Sequence, residues 1–207
     1  MDFDKVPAAD FIEAAAGSVR KRGITVEILA TKADALSRIR EIIPAGASVS
    51  TGASVTLREI GFEDLLKSGN HPWRNFKAEI AAEKDPLRQE ALRKQSTLAD
   101  FFLGSVHAIA ASGELVIASM TGSQLAPYAF SSSHIVWVVG AQKLTPDLDG
   151  AIRRVREYVY PHEDARMRAS TGGKMGSMIG KLLIFEQEAA FLNRSLNLLL
   201  VKERVGD

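Results

Sequence analysis

Ala47-Ser48-Val49-Ser50-Thr51-Gly52-Ala53-Ser54-Val55-Thr56 decides how this chain is read. Ala47–Val49 has the β-branched, apolar character of a short strand. Ser50–Ser54 is a small, polar loop. Val55 onward, through Ile60, reads as a helix. Gly52 lets a backbone approach a ligand closely, and Thr51, Ser54 and Thr56 offer hydroxyls. Free N–H groups at a helix start attract phosphate or carboxylate. The same residues also make an ordinary helix cap with no ligand, so two readings stand.

The flanks repeat the same grammar. Phe11, Ile12, Ala15, Ala16 and Val19 fall at helical spacing, ending near Arg22-Gly23. Ile24–Ala30 reads as a strand. Thr31 caps the next helix, whose apolar face is Leu36, Ile39, Ile42 and Ile43, and Pro44 stops it. Residues 61–84 are irregular and are expected to form a lid or an interface insertion. Asp85-Pro86 starts a long helix with Leu87, Ala91, Leu92, Leu98, Phe101 and Phe102 on one face. Ser105–Ala110 and Glu114–Ser119 read as a hairpin, followed by a helical stretch over Thr121–Phe130. His134–Val139 is wholly apolar, as in a covered central strand. Thr145-Pro146-Asp147 opens another helix. Residues 161–181 read as an irregular excursion, and Leu182–Phe185 with Leu196–Val201 as a final strand pair. Strands alternating with helices predict an α/β fold, with a mostly parallel sheet covered on both faces. Residues 1–207 read as a single domain.

Composition narrows the function. The 207 residues carry 26 Lys plus Arg against 25 Asp plus Glu, a formal charge of +1. That balance gives no general drive toward nucleic acid. No run approaches the ~18 apolar residues of a membrane helix, and Met1–Lys5 lacks a signal peptide's apolar core. The expectation is a cytoplasmic protein without membrane or nucleic-acid partners. The chain has no cysteine, which excludes a thiolate-held iron–sulfur cluster, a disulfide or a cysteine nucleophile within it. No cofactor motif is evident. Thr171-Gly172-Gly173-Lys174 departs from the P-loop pattern because Met175 follows the lysine. The four histidines show no metal-ligand spacing.

Ser119-Met120-Thr121-Gly122-Ser123-Gln124 is a second strand–loop–helix passage. If its strand ran parallel to the first, two helix starts would open on one edge of the sheet; a hairpin would reverse it. Lys143, after the buried strand, reads as a contact for phosphate or carboxylate or as a surface lysine. Glu114, at the hairpin turn, reads as a general base, a nucleophile or a solvated turn residue. His107 faces either the cleft or the core. The basic residues Arg153, Arg154 and Arg156 read as a solvated helix face. Trp73 and Phe76 are candidates for a homodimer interface.

Taken together, Gly52–Gly61, Leu103–Ala110 with Ser112–Val116, Thr121–Gln124, Ile135–Lys143 and Asp147–Asp149 resemble the LUD, or lactate-utilisation (LutC/YkgG-like), domain. Leu196–Gly206 resembles its final strand. The resemblance implies a three-layer α/β/α sandwich similar to the NagB/RpiA/CoA-transferase group. It implies that Thr51-Gly52-Ala53-Ser54 looks like the phosphate loop of sugar-phosphate isomerases. Their Asp-Gly-Ala-Asp catalytic segment has no counterpart here, and fold alone carries no activity. Short relatives often carry cysteines between the last long helix and the final strand; residues 161–187 here have none. The resemblance further implies an accessory role in oxidising L-lactate to pyruvate beside iron–sulfur partner proteins. Such a protein would bind a small anionic or phosphorylated metabolite at Thr51, Gly52, Ser54, Thr56, Thr121, Gly122, Ser123 and Lys143. The alternative is a stand-alone enzyme acting on a sugar phosphate, CoA ester or folate through Glu114.

Overall fold

The computed structural model describes residues 2–207. Helix α1 (Ala9–Arg20) buries Ile12, Ala15, Ala16 and Val19, the face its spacing predicts. Strand β1 (Thr25–Leu29) leads to α2 (Lys32–Ile42), where Thr31 and Asp34 form a capping box. Strand β2 (Ser48–Thr51) follows, then α3 (Val55–Glu59), capped by Ser54, and α4 (Phe62–Ser68). The short β3 (Arg74–Asn75), α5 (Phe76–Ala82) and α6 (Pro86–Gln95) lead into β4 (Phe101–Gly104). Strands β5 (Ala108–Ala110) and β6 (Leu115–Ser119) form an antiparallel hairpin. Strand β7 (His134–Gly140) runs through a single turn of tight helix (Ala141–Lys143) into β8 (Leu144–Thr145). Helices α7 (Leu148–Arg154) and α8 (Tyr160–Ser170) continue one another through a wide π-type turn, Val155–Val159. Strands β9 (Lys181–Phe185) and β10 (Ser195–Val201) complete the chain.

Two sheets result. The larger has the order β1-β10-β7-β4-β2-β3, with every pairing parallel. The smaller has the order β8-β5-β6-β9. On one face of the large sheet, α2, α3 and α4 bury Ile39, Leu57, Phe62 and Leu66 against Val49, Leu103, Val136 and Leu199. On the other face, α1 and the small sheet pack against Phe102, Trp137, Val139 and Leu198. The far face of the small sheet is covered by α7 and the π-type turn after it, through Ala151 and Val155. The expected α/β plan, a parallel sheet covered on both faces, is present. The second sheet is an addition, built from the connections between β4 and β7 and between β7 and β10.

Four expectations change here. The 61–84 segment is not irregular: α4, β3 and α5 occupy most of it, β3 extends the sheet edge, and Phe62, Leu65, Leu66, Trp73 and Phe76 are buried. Trp73 also donates its indole N–H to the Ile43 carbonyl at 3.1 Å. The helix after Asp85 ends at Gln95, and Phe101 and Phe102 belong to β4. Leu87 and Leu98, read as part of its buried face, are 79% and 67% exposed. Residues 161–170 lie within α8 and Lys181 opens β9, leaving only residues 171–180 irregular. The final strands are not a pair: β9 joins β6, and β10 inserts between β1 and β7.

Candidate functional site

Strands β10, β7, β4 and β2 are neighbours in the parallel sheet, so their carboxyl ends lie side by side. Ligands of open α/β sheets bind beyond those ends. A cleft of about 270 Å³ lies there. After β2 it is lined by Gly52–Thr56, after β4 by Ser105–His107, after β7 by Lys143 and after β10 by Asp207. The end of β6 and its loop, Ala118–Thr121 with Ser123 and Gln124, form a further wall. Tyr160, Glu163, Arg166 and Met167 of α8 with Ser177–Ile179 close the remaining side.

The two Gly-containing loops therefore meet, although β6 is antiparallel in the small sheet. Packing between the sheets brings them together. Trp137 of β7 stands edge-on to Tyr128 and Phe185, with ring centroids 5.4 and 5.6 Å apart. That aromatic cluster fixes β9, and with it β6, over the large sheet. At Gly52 a Cβ would lie 2.7 Å from Gln124 Oε1, so a larger residue there would push the Gln124 side chain aside. From the other side, Lys77 of α5 donates to the Gly52 carbonyl at 3.2 Å.

Lys143 is 2% exposed. Its Nζ donates to Thr56 Oγ1 at 3.1 Å and to Ser105 Oγ at 3.3 Å. No carboxylate among the described residues lies within ion-pair distance of it. Burial, reinforced by the nearby Arg154 cation, lowers Lys143 to about 7, against partial restoration by Asp207 and Glu59. Arg154 is fully buried and also lacks a carboxylate at ion-pair distance; burial lowers it to about 10. Its Nη1 donates to the His107 carbonyl at 2.6 Å. His107 lines the cleft with its side chain partly buried. Burial, then Lys143 and Arg154, lowers it to about 3, so its ring is neutral at pH 7. Ala118 N–H donates to Nδ1 at 3.1 Å. The ring proton therefore sits on Nε2, which is a donor.

The tail after β10 is folded into this floor. Gln142 Nε2 donates to the Val205 and Gly206 carbonyls at 3.0 Å each, and Gly206 N–H donates to Glu59 at 2.9 Å. Gly206 has φ +69°, and a Cβ there would collide with Thr56 Oγ1.

Of the residues the sequence singled out, Gly52, Ser54, Thr56, Thr121, Ser123 and Lys143 line the cleft. Thr51 and Gly122 do not; Thr51 ends β2 and the Gly122 N–H donates to Ser119 Oγ in the loop turn. Glu114 stands at the opposite end of β6 from Ser119, roughly 16 Å away along the strand. There it pairs with Arg22 and accepts from Ser112 Oγ, so the structure gives it no place in the cleft. The helix starts are also weaker than expected. Helix α3 has five residues, and the turn after Thr121 opens into no long helix, so neither carries much dipole.

Sequence reasoning missed Ser105 and Arg154 and left His107 undecided. Arg154, read as solvated, is 0% exposed. Its i, i+3 relation to Ala151, on the face α7 turns to the small sheet, was the available signal.

Residues 12–175 match the family profile described as the LUD domain. The fold is similar to the crystal structure of a DUF162 family protein from Deinococcus radiodurans. That likeness covers 95% of this chain and 98% of the other, with a TM-score of 0.54 and 8% identity. No curated protein is similar to the chain.

Proposed function

This chain belongs to the LUD-domain family, and from that premise we propose that its cleft binds a small anionic metabolite against Lys143. The family makes it a lactate-utilisation-associated protein in general terms. The ligand, the role of each residue and an accessory position beside an iron–sulfur partner are our reading.

One observation carries the proposal. Lys143 is a buried cation lining the cleft with no carboxylate at ion-pair distance, and the buried Arg154 behind it adds like charge. Burying an uncompensated charge is costly. An incoming carboxylate or phosphate would supply the missing charge. Thr56, Ser105 and the His107 Nε2–H would add neutral hydrogen-bonding groups, and Ser54, Thr121 and Ser123 would add hydroxyls at the mouth. A volume of about 270 Å³ suits a compound of few carbons, below the range for drug-sized ligands. The chain itself has no cysteine, so any thiolate-held cluster used with it would belong to a partner.

A thermal-shift panel of lactate, pyruvate, inorganic phosphate and sugar phosphates tests this. A ligand at 100 times its dissociation constant adds about 2.7 kcal/mol of stability. A shift for at least one anion, absent in Lys143→Met, is the expected result. No shift from any anion, or an equal shift in the variant, would remove the proposal.

A further inference from the structure

We propose that Lys143 is a carbonyl-capturing residue, whose amine condenses with the keto group of a small 2-oxo acid to form a reversible imine. This rests on the anion reading of the same cleft and gives it a substrate class.

The geometry around the nitrogen is the first support. Lys143 Nζ has two hydroxyl partners, Thr56 Oγ1 and Ser105 Oγ, at 3.1 and 3.3 Å. Two acceptors match the two N–H bonds of a neutral amine and leave its lone pair free. A carboxylate partner would instead hold the group as an ammonium, which cannot attack. None lies within ion-pair distance among the described residues. Lys143 is also the one lysine among the described residues lining the cleft. Burial and the Arg154 cation keep a substantial neutral fraction near pH 7.

The second support is the neighbouring donor. His107 presents Nε2–H to the same cleft because its Nδ1 is taken by Ala118 N–H. A neutral N–H donor suits a carbonyl oxygen, or the hydroxyl that replaces it. The third is the charge of the floor. A lone aldehyde would bring no anion to the positive field that Lys143 and, behind it, the buried Arg154 set up. A 2-oxo acid carries carbonyl and carboxylate on adjacent carbons, within the reach of a small cleft.

The step balances without a redox partner. The Nζ lone pair attacks the carbonyl carbon, and the C=O π bond becomes a hydroxyl after proton transfer from nitrogen. One further proton from solvent lets that hydroxyl leave as water. The product is a protonated imine between Nζ and the former carbonyl carbon.

The experiment treats the full chain with pyruvate and cyanoborohydride near neutral pH, followed by peptide mass mapping. The expected product is one adduct, the keto acid less water plus two hydrogens, on Lys143. It should form about tenfold faster than at any other lysine, be absent with lactate and be lost in Lys143→Arg. Ser105→Ala keeps the lysine and removes one hydroxyl partner; it should slow labelling about tenfold. Labelling spread evenly over surface lysines, or none at Lys143 in the wild-type protein, would overturn the proposal. A parallel lactate melt separates the two readings. If lactate stabilises the protein and no adduct forms, the imine falls and anion binding stands. If no anion of the thermal-shift panel has an effect and no adduct forms, both fall.

Discussion

At the hairpin end of the small sheet, Glu114 accepts from Ser112 and pairs with Arg22. Arg22 Nη1 also reaches Glu186 at 2.9 Å, and its Nε donates to the Ser112 carbonyl at 3.0 Å. At the cleft end, Lys143 meets two hydroxyls, and Arg154 meets backbone carbonyls. The sequence offered Glu114 and Lys143 as comparable candidates. The difference is how far each charge is answered. Glu114 has a cation and hydrogen-bond donors, so its network is complete and ties α1 to the hairpin. Lys143 and Arg154 make no ion pair and are only partly offset by carboxylates farther off, Asp207 and Glu59 for the lysine, and that shortfall beside Lys143 is what a ligand can make up.

Lys143→Met should break the contrast most strongly. We expect the whole ligand-dependent shift, about 2.7 kcal/mol at 100 times the dissociation constant, to vanish. The variant should also melt above wild type at pH 6. Lys143 is lowered to about 7 in the fold from 10.5, so the unfolded chain binds more protons between those values. Stability from this group therefore rises with pH across that window and is lowest below about 7. The advantage of the variant should shrink toward pH 10. An advantage independent of pH would refute the buried-cation account.

Arg22→Ala comes next. It removes three tethers at the hairpin end and should cost about 2 kcal/mol in chemical denaturation, with the ligand response intact. Gly206→Ala sets a Cβ against Thr56 at a φ of +69° and should cost about 1.5 kcal/mol while weakening the response. Glu114→Gln is the smallest, about 1 kcal/mol, with an unchanged response. Burial alone would raise the Glu114 pKa, but hydrogen bonds from Ser112 and the backbone, together with Arg22, hold it below the usual carboxylate value. Its contribution is present above the unfolded pKa and lost as pH falls through the folded one, so the variant should flatten part of the acid limb. Loss of ligand binding in Glu114→Gln would erase the distinction between the two ends.

Much of the fold was legible because local chemistry agreed with it. The Thr31–Asp34 capping box, the Asp85 and Asp147 caps and the apolar run of β7 all speak within a few residues. Phe101 and Phe102 were harder, since they continue a helical spacing from Leu92 and Leu98 with no breaker between. Helix α8 buries no residue, so it offers no apolar stripe to read. At the site, the Gly52 and Thr121 loops and Lys143 stood out through their position after strands. Arg154 did not, because Arg153 and Arg156 are exposed and make the run look solvated. The distance of Glu114 from the cleft depends on which end of β6 meets β2, which is a matter of how the two sheets pack and not of local pattern.

The most direct test of the central claim is calorimetric titration of lactate into the protein at pH 7.5, in two buffers of different ionisation enthalpy. An anion beside Lys143 raises its pKa, so binding should take up protons, and Lys143→Met should abolish both binding and uptake. Binding without proton uptake, undiminished in Lys143→Met, would contradict the account.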